Sequence, residues 1–291
     1  MFLADGWKDY ELIDCNNGEK LECWGGHILR RPDPQIVWEL PENEKSGLWK
    51  KAEARYIRSN SGGGKWEVYK PLPQSWNIKY KDLVFGIKPM GFKHTGLFPE
   101  QAANWDWFSD IIKNSNKKDI NVLNLFAYTG GATIAAAAAG ASVCHVDAAK
   151  GMVSWAKENA ALSGLLEHPI RYIVDDVKKF VEREIRRGRK YDGIIMDPPS
   201  YGRGPKGEIW KIEQELFPLI QTCMNVLSDT PLFFLVNTYT TGLSGSVMEN
   251  IFKLTLLQKF GGKFQVDEVG LPITNKGLVL PCGYSSRWQA E

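Results

Sequence analysis

Near the middle of the chain, an acid and two prolines close an apolar run, Tyr191-Asp192-Gly193-Ile194-Ile195-Met196-Asp197-Pro198-Pro199-Ser200. The run predicts a buried parallel strand, and the prolines a stiff loop that presents the Asp197 carboxylate at the strand's carboxyl end. Ligands of open α/β sheets bind at that edge. An ordinary strand followed by a turn would read the same way if the segment stood alone. Two further apolar runs accompany it: NVLNLFAYTGG (121–131) ends in a glycine loop, and SVCHVD (142–147) ends in an acid.

At Ala127-Tyr128-Thr129-Gly130-Gly131 the chain must leave a strand and enter a helix, where glycines allow close approaches that a side chain would block. A packing turn would explain them equally. The spacing G-x-G-x-x-G of a nicotinamide fingerprint is absent. Asp147 stands about twenty residues further on, where a carboxylate can accept both hydroxyls of an adenosine ribose; it can also cap the following helix. In IVDDV, Asp175 and Asp176 follow a third apolar run. One of them can cap the next helix while the other accepts from an adenine amino group, and Asp176 is the favoured adenine ligand.

The elements that must position these groups alternate regularly. Strands over 122–126, 142–146, 170–174, 192–196 and 232–237 are separated by helices over 132–139, 150–162, 177–187 and 211–227. Such alternation implies parallel strands with right-handed helical crossovers. After a helix near 246–260, strands over 264–271 and 278–284 are joined by a turn too short for a crossover, so they must pair antiparallel. The fold class expected is α/β, a doubly wound, seven-stranded Rossmann-like sheet ending in an antiparallel hairpin. Residues 1–93 carry short aromatic and β-branched pieces between turn residues, which reads as a small β-rich domain. Residues 94–291 form the second domain, and a helix over 99–112, with Ala102, Trp105 and Phe108 on one face, bridges the two.

A chain of this length can hold one large domain or two. The net charge of +2 is small, so any basic patch must be local. Five irregularly placed cysteines, without C-x-x-C pairs, fit reduced thiols better than a disulfide framework or a metal site. The first residues lack the basic-then-apolar order of a signal peptide, and no apolar run approaches the roughly 18 residues of a membrane span. A cytoplasmic enzyme that carries no metal and needs no membrane is expected, in an oligomeric state the sequence leaves open.

The order NLFAYTGG, HVDAAK, IVDDV, DGIIMDPPSYG, with a final hairpin, resembles the class I S-adenosylmethionine-dependent methyltransferases, and within them the branch related to bacterial ribosomal-RNA large-subunit methyltransferases. FKHTGLFPEQAANWDW fits the Thr-Gly-x-Phe stretch found in that branch just before the first strand. The likeness runs from about Phe92 to the end. It implies S-adenosylmethionine as cofactor, its methionine part held by Phe126, Tyr128, Thr129, Gly130 and Gly131. By the same resemblance Asp147 and Ala148 hold the ribose, Asp176 and its neighbour Asp175 the adenine, and Gln101 approaches from the bridging helix.

The methyl group of a sulfonium is already electrophilic, so an enzyme chiefly has to hold a nucleophile in line with it. At the Asp-Pro-Pro loop, the Asp197 carboxylate and the Pro198 carbonyl can accept the hydrogens of an amino nitrogen and aim its lone pair. In amino-methylating relatives an aromatic follows the prolines and stacks on the target base. Here Ser200 follows Pro199, with Tyr201 next. Methylation of a cytosine carbon would require a thiolate to attack the ring first. The loops after the fourth and fifth strands contain no cysteine; Cys144 and Cys223 read as core, and Cys282 is the remaining candidate.

Arg183, Arg186, Arg187, Arg189 and Lys190 end a helix and read as a solvated, dipole-compensating terminus. Arg203 and Lys206 follow the Asp-Pro-Pro loop on the active side. Between Trp49 and Lys88, cations including Lys65 and Lys70 are interleaved with Trp49, Tyr56, Trp66, Tyr69, Trp76 and Tyr80, which suits unpaired RNA as well as it suits an ordinary small β domain. The expectation is a methyltransferase that modifies an RNA base by direct transfer. A methyltransferase for a protein or small molecule, and an inert RNA-binding protein, are the alternatives.

Overall fold

The structure is a computed structural model that describes all residues except 60–62, 92, 204–208 and 240–242. It divides into two compact units. One comprises Leu3–Ala103 with Gly270–Cys282, and the other Met1–Phe2, Asn104–Val269 and Gly283–Glu291. In this division the chain passes from one unit to the other between Ala103 and Asn104, and the tip of the final hairpin belongs to the first unit.

In the first unit, β1 (Tyr10–Asn16), β2 (Glu19–Trp24) and β3 (His27–Pro32) form an antiparallel meander. Its two tight connections, Asn17-Gly18 and Gly25-Gly26, have positive φ at both residues, as two-residue hairpin turns demand. β4 (Ala54–Arg58) runs parallel to β3, and β5 (Gly64–Val68) returns antiparallel. β6 (Trp76–Tyr80) and β7 (Leu83–Ile87) make a separate hairpin. Glu22, fully buried, is satisfied by Arg31 at 2.6 and 2.7 Å and by the Tyr10 hydroxyl at 2.8 Å. The Arg31 guanidinium beside it holds the Glu22 carboxyl down at about 2, against the upward push of burial.

The second unit is built from α1 (Ala102–Asn114), which crosses the boundary, and a seven-stranded sheet. Its strands are β8 (Asn121–Leu125), β9 (Ser142–Asp147), β10 (Ile170–Val174), β11 (Gly193–Met196), β14 (Phe233–Thr238), β15 (Lys263–Ile273) and β16 (Leu278–Gln289). Two short strands, β12 (Tyr201–Arg203) and β13 (Ile209–Lys211), pair only with each other. The sheet order is β10-β9-β8-β11-β14-β16-β15. β8 to β11 and β14 are parallel, and β16 is antiparallel to β14. The doubly wound sheet and its terminal reversal are thus as the sequence pattern predicts, preceded by a β-rich unit.

Helices α2 (Gly131–Ala138), α3 (Lys150–Leu162), α4 (Val177–Arg186), α5 (Ile212–Cys223) and α6 (Gly245–Phe252) provide the connections. Leu123, Leu125, Val146, Ile194, Met196, Phe234 and Val236 from the strands pack with Phe180, Leu216, Ile220 and Phe252 from the helices. Each such burial removes enough apolar surface to contribute roughly 1.5–3 kcal/mol. No helix among the described residues is long and apolar enough to cross a membrane.

Candidate active site

The reversal of strand order lies between β8 and β9 on one side and β8 and β11 on the other, so the carboxyl ends of these three strands border one crevice. The register is close: Leu125 of β8 lies beside Val146 of β9 and Met196 of β11. The loop Phe126–Gly131, Asp147 and Asp197 therefore leave the sheet side by side.

The loop is unusual in its backbone. Phe126 and Tyr128 have φ of 55° and 50°, and are two of the five non-glycine residues with positive φ among those described; Gly130 has φ 86°. For aromatic residues this region costs on the order of 1–3 kcal/mol each, and it persists where the surroundings over-determine it. They do so here. The Ala127 amide donates to the Val146 carbonyl at 3.0 Å, the Tyr128 amide to Asp147 Oδ2 at 2.8 Å, and Asn159 Nδ2 to the Thr129 carbonyl at 2.9 Å. A Cβ at Gly130 would lie 2.9 Å from that of Ala156, so only glycine lets the loop settle on α3. Below it, Asn124 Nδ2 and His145 Nδ1 both meet Thr133 Oγ1 at 2.9 Å. Burial keeps His145 neutral, with its pKa pushed down to about 3.

Asp147 also accepts from the Ala149 amide at 2.8 Å, and burial raises its pKa. It does not receive the Lys150–Leu162 helix as a side-chain cap; its acceptor capacity is spent on shaping the two loops, with further lone pairs for a pair of hydroxyls. Ala148 beside it is exposed. Asp176 is the N-cap of α4, accepting from the Lys179 amide at 3.0 Å. Asp175 forms an ion pair with Arg183. Arg183 thus reaches the ligand edge of the sheet, which corrects its reading as part of a solvated helix end.

Asp197 Oδ1 accepts from Asn237 Nδ2 at 3.2 Å, because β14 lies beside β11 and Asn237 follows the rung Met196–Val236. Pro198 is buried; Pro199, Ser200 and Tyr201 are exposed. The hairpin of β12 and β13 then brings back a residue that sequence reasoning passed over. Trp210 Nε1 donates to the Pro199 carbonyl at 2.6 Å, and the ring lies 5.0 Å from that of Phe126. Its only signal in the sequence was an aromatic a hairpin's length past the prolines.

A model of the S-adenosylmethionine-dependent methyltransferases matches residues 44–224. The chain belongs to this family. Its cofactor is S-adenosylmethionine, and the residues present fit that group: a glycine cradle that a Cβ would fill, and a half-buried strand-end carboxylate with acceptors to spare. The ribosomal RNA large subunit methyltransferase K/L of Methylococcus capsulatus is 32% identical over 241 residues, 80% of this chain and 30% of that protein. The corresponding methyltransferase K of Neisseria meningitidis is 35% identical over 130 residues, 44% of this chain and 37% of that protein. The chain thus spans well under half the length of these curated relatives. A crystal structure of a methyltransferase from Agrobacterium tumefaciens matches with TM-score 0.93 and 35% identity, over all of this chain and 93% of that one.

Among the thiols of this methyltransferase, burial raises Cys144 to about 11 and pushes Cys223 and Cys282 up as well. Thiols held protonated in this way are poor nucleophiles. Cys282 moreover belongs to the first unit, as does Gln101, which sits half-buried in the turn Pro99–Gln101. Neither is among the residues that the second unit brings together. Arg203 ends β12, and Lys206 lies outside the described residues.

The rings of the first unit are largely internal. Tyr56 and Tyr80 are buried, while Trp49, Trp66 and Trp76 donate their N–H groups to Asp14, Met90 and Trp24 within the same unit. Lys65 and Lys70 are exposed, and Lys70 Nζ donates to the Lys51 carbonyl at 3.0 Å. Most of these rings therefore serve the core, while Lys65 and Lys70 lie at the surface.

Proposed function

We propose that the protein transfers the methyl group of S-adenosylmethionine to a base of RNA, with ribosomal RNA as the substrate class. The observation that carries this reading is the convergence of the glycine loop, Asp147 and the Asp-Pro-Pro loop at adjacent strand ends. The similarity to ribosomal RNA large subunit methyltransferases supports the choice of substrate.

When bound, the cofactor supplies an electrophilic methyl group on its sulfonium. The chain's residues then have three tasks. Phe126, Tyr128, Thr129, Gly130 and Gly131 hold the methionine part, Asp147 with Ala148 the ribose, and Asp175 and Asp176 the adenine side. Asp176 can do so with the carboxylate oxygen that its cap to Lys179 leaves over.

At the substrate, the Asp197 carboxylate and the Pro198 carbonyl accept the two hydrogens of an exocyclic amine, which turns its lone pair toward the methyl group. Pro199 stiffens the loop and Tyr201 borders it. Charge then develops on the nitrogen, and the nearby carboxylate stabilises it and takes up the proton it sheds. Stacking on the base is assigned to Trp210, since Ser200 cannot provide it. Arg203 and Lys206, which follow the same loop in the sequence, are assigned the phosphate contacts. The buried, protonated thiols favour this direct route over a covalent adduct.

Nucleoside mass spectrometry of ribosomal RNA, from cells with and without the gene, tests the proposal. The expected result is one methylated nucleoside lost on deletion and restored in vitro by the purified protein with S-adenosylmethionine. Identical nucleoside profiles, with methyl transfer to a protein or small molecule instead, would overturn the choice of RNA.

A further inference from the structure

Asn237 is the last link of a longer chain of hydrogen bonds. Arg287 Nε donates to Asn104 Oδ1 at 2.9 Å, and Asn104 Nδ2 donates to Ser285 Oγ at 2.8 Å. The Ser285 hydroxyl donates to Asn237 Oδ1 at 2.8 Å, and Asn237 Nδ2 donates to Asp197 Oδ1 at 3.2 Å. Every donor points the same way, from a guanidinium to a carboxylate. All four upstream side chains are buried.

The fold explains how the chain is assembled. Asn237 on β14 and Ser285 on β16 are directly opposed, and Arg287 lies two residues on, on the same face of β16. Asn104, in the first turn of α1, bridges Ser285 and Arg287. The guanidinium lies over the Phe2 ring at 3.6 Å and the Trp107 ring at 5.3 Å. Burial lowers its pKa to about 10, so it stays charged at neutral pH.

A buried cation is costly to keep, and shape alone would be served by apolar residues. Hydrogen bonds arranged head to tail polarise one another, and in a low-dielectric interior the effect reaches the terminal acceptor. We infer that Arg287, Asn104, Ser285 and Asn237 form a positioning relay that fixes the orientation of the Asp197 carboxylate and stabilises its charge for receiving the substrate amine. The inference rests on the proposed role of Asp197. None of the four touches the reacting atoms.

The decisive variant is Asn104→Asp. It preserves shape and gives Arg287 an ion-pair partner, so the fold is retained. The new carboxylate accepts from Ser285 instead of donating to it, which turns the serine proton away from Asn237 and breaks the direction of the chain. Ser285→Ala cuts the same link by deletion, and Ser285→Thr keeps the hydroxyl.

Kinetics are measured with tritiated S-adenosylmethionine on ribosomal RNA from the deletion strain. For Asn104→Asp and Ser285→Ala we expect kcat to fall about tenfold or more, as misoriented catalytic groups do, while KM for RNA stays within about twofold. Ser285→Thr should restore most of kcat. In parallel, the Asp197 carboxyl carbon is followed by NMR in protein labelled with 13C-aspartate and assigned through Asp197→Asn; its resonance should move in Asn104→Asp. An unmoved resonance, or unchanged kcat with only thermal stability altered, overturns the relay. If the parent enzyme leaves RNA unmethylated, the RNA reading falls, and the resonance still decides whether the relay reaches Asp197.

Discussion

The indole N–H of Trp210 donates to the Pro199 carbonyl at 2.6 Å, which ties the loop that presents Asp197 to the ring that rests on Phe126. Methyltransferases that modify amino groups commonly place their aromatic directly after the prolines. In this chain the hairpin of β12 and β13 carries it back to the same loop from ten residues further on, over an exposed Ser200.

If that ring stacks on the target base, Trp210→Ala should raise KM for RNA about tenfold or more, because stacking contributes roughly 1–3 kcal/mol per base. Trp210→Phe should lose much less. Cofactor affinity, read by calorimetric titration, should change far less than KM. Equal losses for cofactor and RNA would mean that Trp210 only supports Phe126.

Asp147 holds the glycine loop through the Tyr128 amide and the next helix through the Ala149 amide. Asp147→Ala removes those acceptors together with the ones assigned to the ribose. Charge-assisted hydrogen bonds contribute roughly 1.5–3 kcal/mol, so affinity for S-adenosylmethionine should fall about tenfold or more. Unchanged affinity in calorimetry would remove Asp147 from the cofactor site.

Much of this site is legible in the sequence. Three apolar runs ending in a glycine loop, an acid and Asp-Pro-Pro carry both the sheet and its ligand edge, because buried parallel strands leave a strong local pattern. The left-handed backbone at Phe126 and Tyr128 is not legible, since an aromatic side chain gives no local signal for that conformation. The relay from Arg287 is equally silent. Asn237 meets Ser285 only through the register of β14 with β16, and Asn104 on α1 reaches Ser285 and Arg287 across more than a hundred residues of sequence. The aromatics between Trp49 and Tyr80 were open to two readings because composition cannot tell a ring whose N–H is bonded internally, as in Trp49, from one offered to solvent.

The neutral state of His145 has a consequence for pH. Its pKa falls from about 6.5 to about 3 on folding, so the unfolded chain takes up a proton that the folded chain refuses. The stability this confers is present above about pH 6.5 and is lost as the pH falls toward 3, at roughly 1.4 kcal/mol per pH unit for one group. His94 behaves alike in the first unit, also pushed down to about 3 by burial. Thermal midpoints should therefore decline below pH 6.5, and His145→Gln should flatten the decline. A variant with the parent's slope would show that His145 takes no part.

The exposed cations of the first unit make the last test, one that bears on RNA and spares the cofactor. Lys65 lies in β5 and Lys70 just past it, both with their ammonium groups on the surface of a unit whose rings are mostly committed to its interior. If they contact phosphates, their contribution to binding comes from releasing condensed counterions, and it shows in salt dependence more than in specificity. Neutralising both, as Lys65→Ala with Lys70→Ala, should weaken RNA binding and flatten the log–log dependence on salt by roughly 0.7 per contact for a single strand. Affinity for S-adenosylmethionine should remain that of the parent, because neither residue belongs to the unit that carries Asp147 and the glycine loop. Filter binding of ribosomal RNA across a salt series measures the slope. A slope equal to the parent's would place the phosphate contacts elsewhere, with Arg203 and Lys206 the next residues to neutralise.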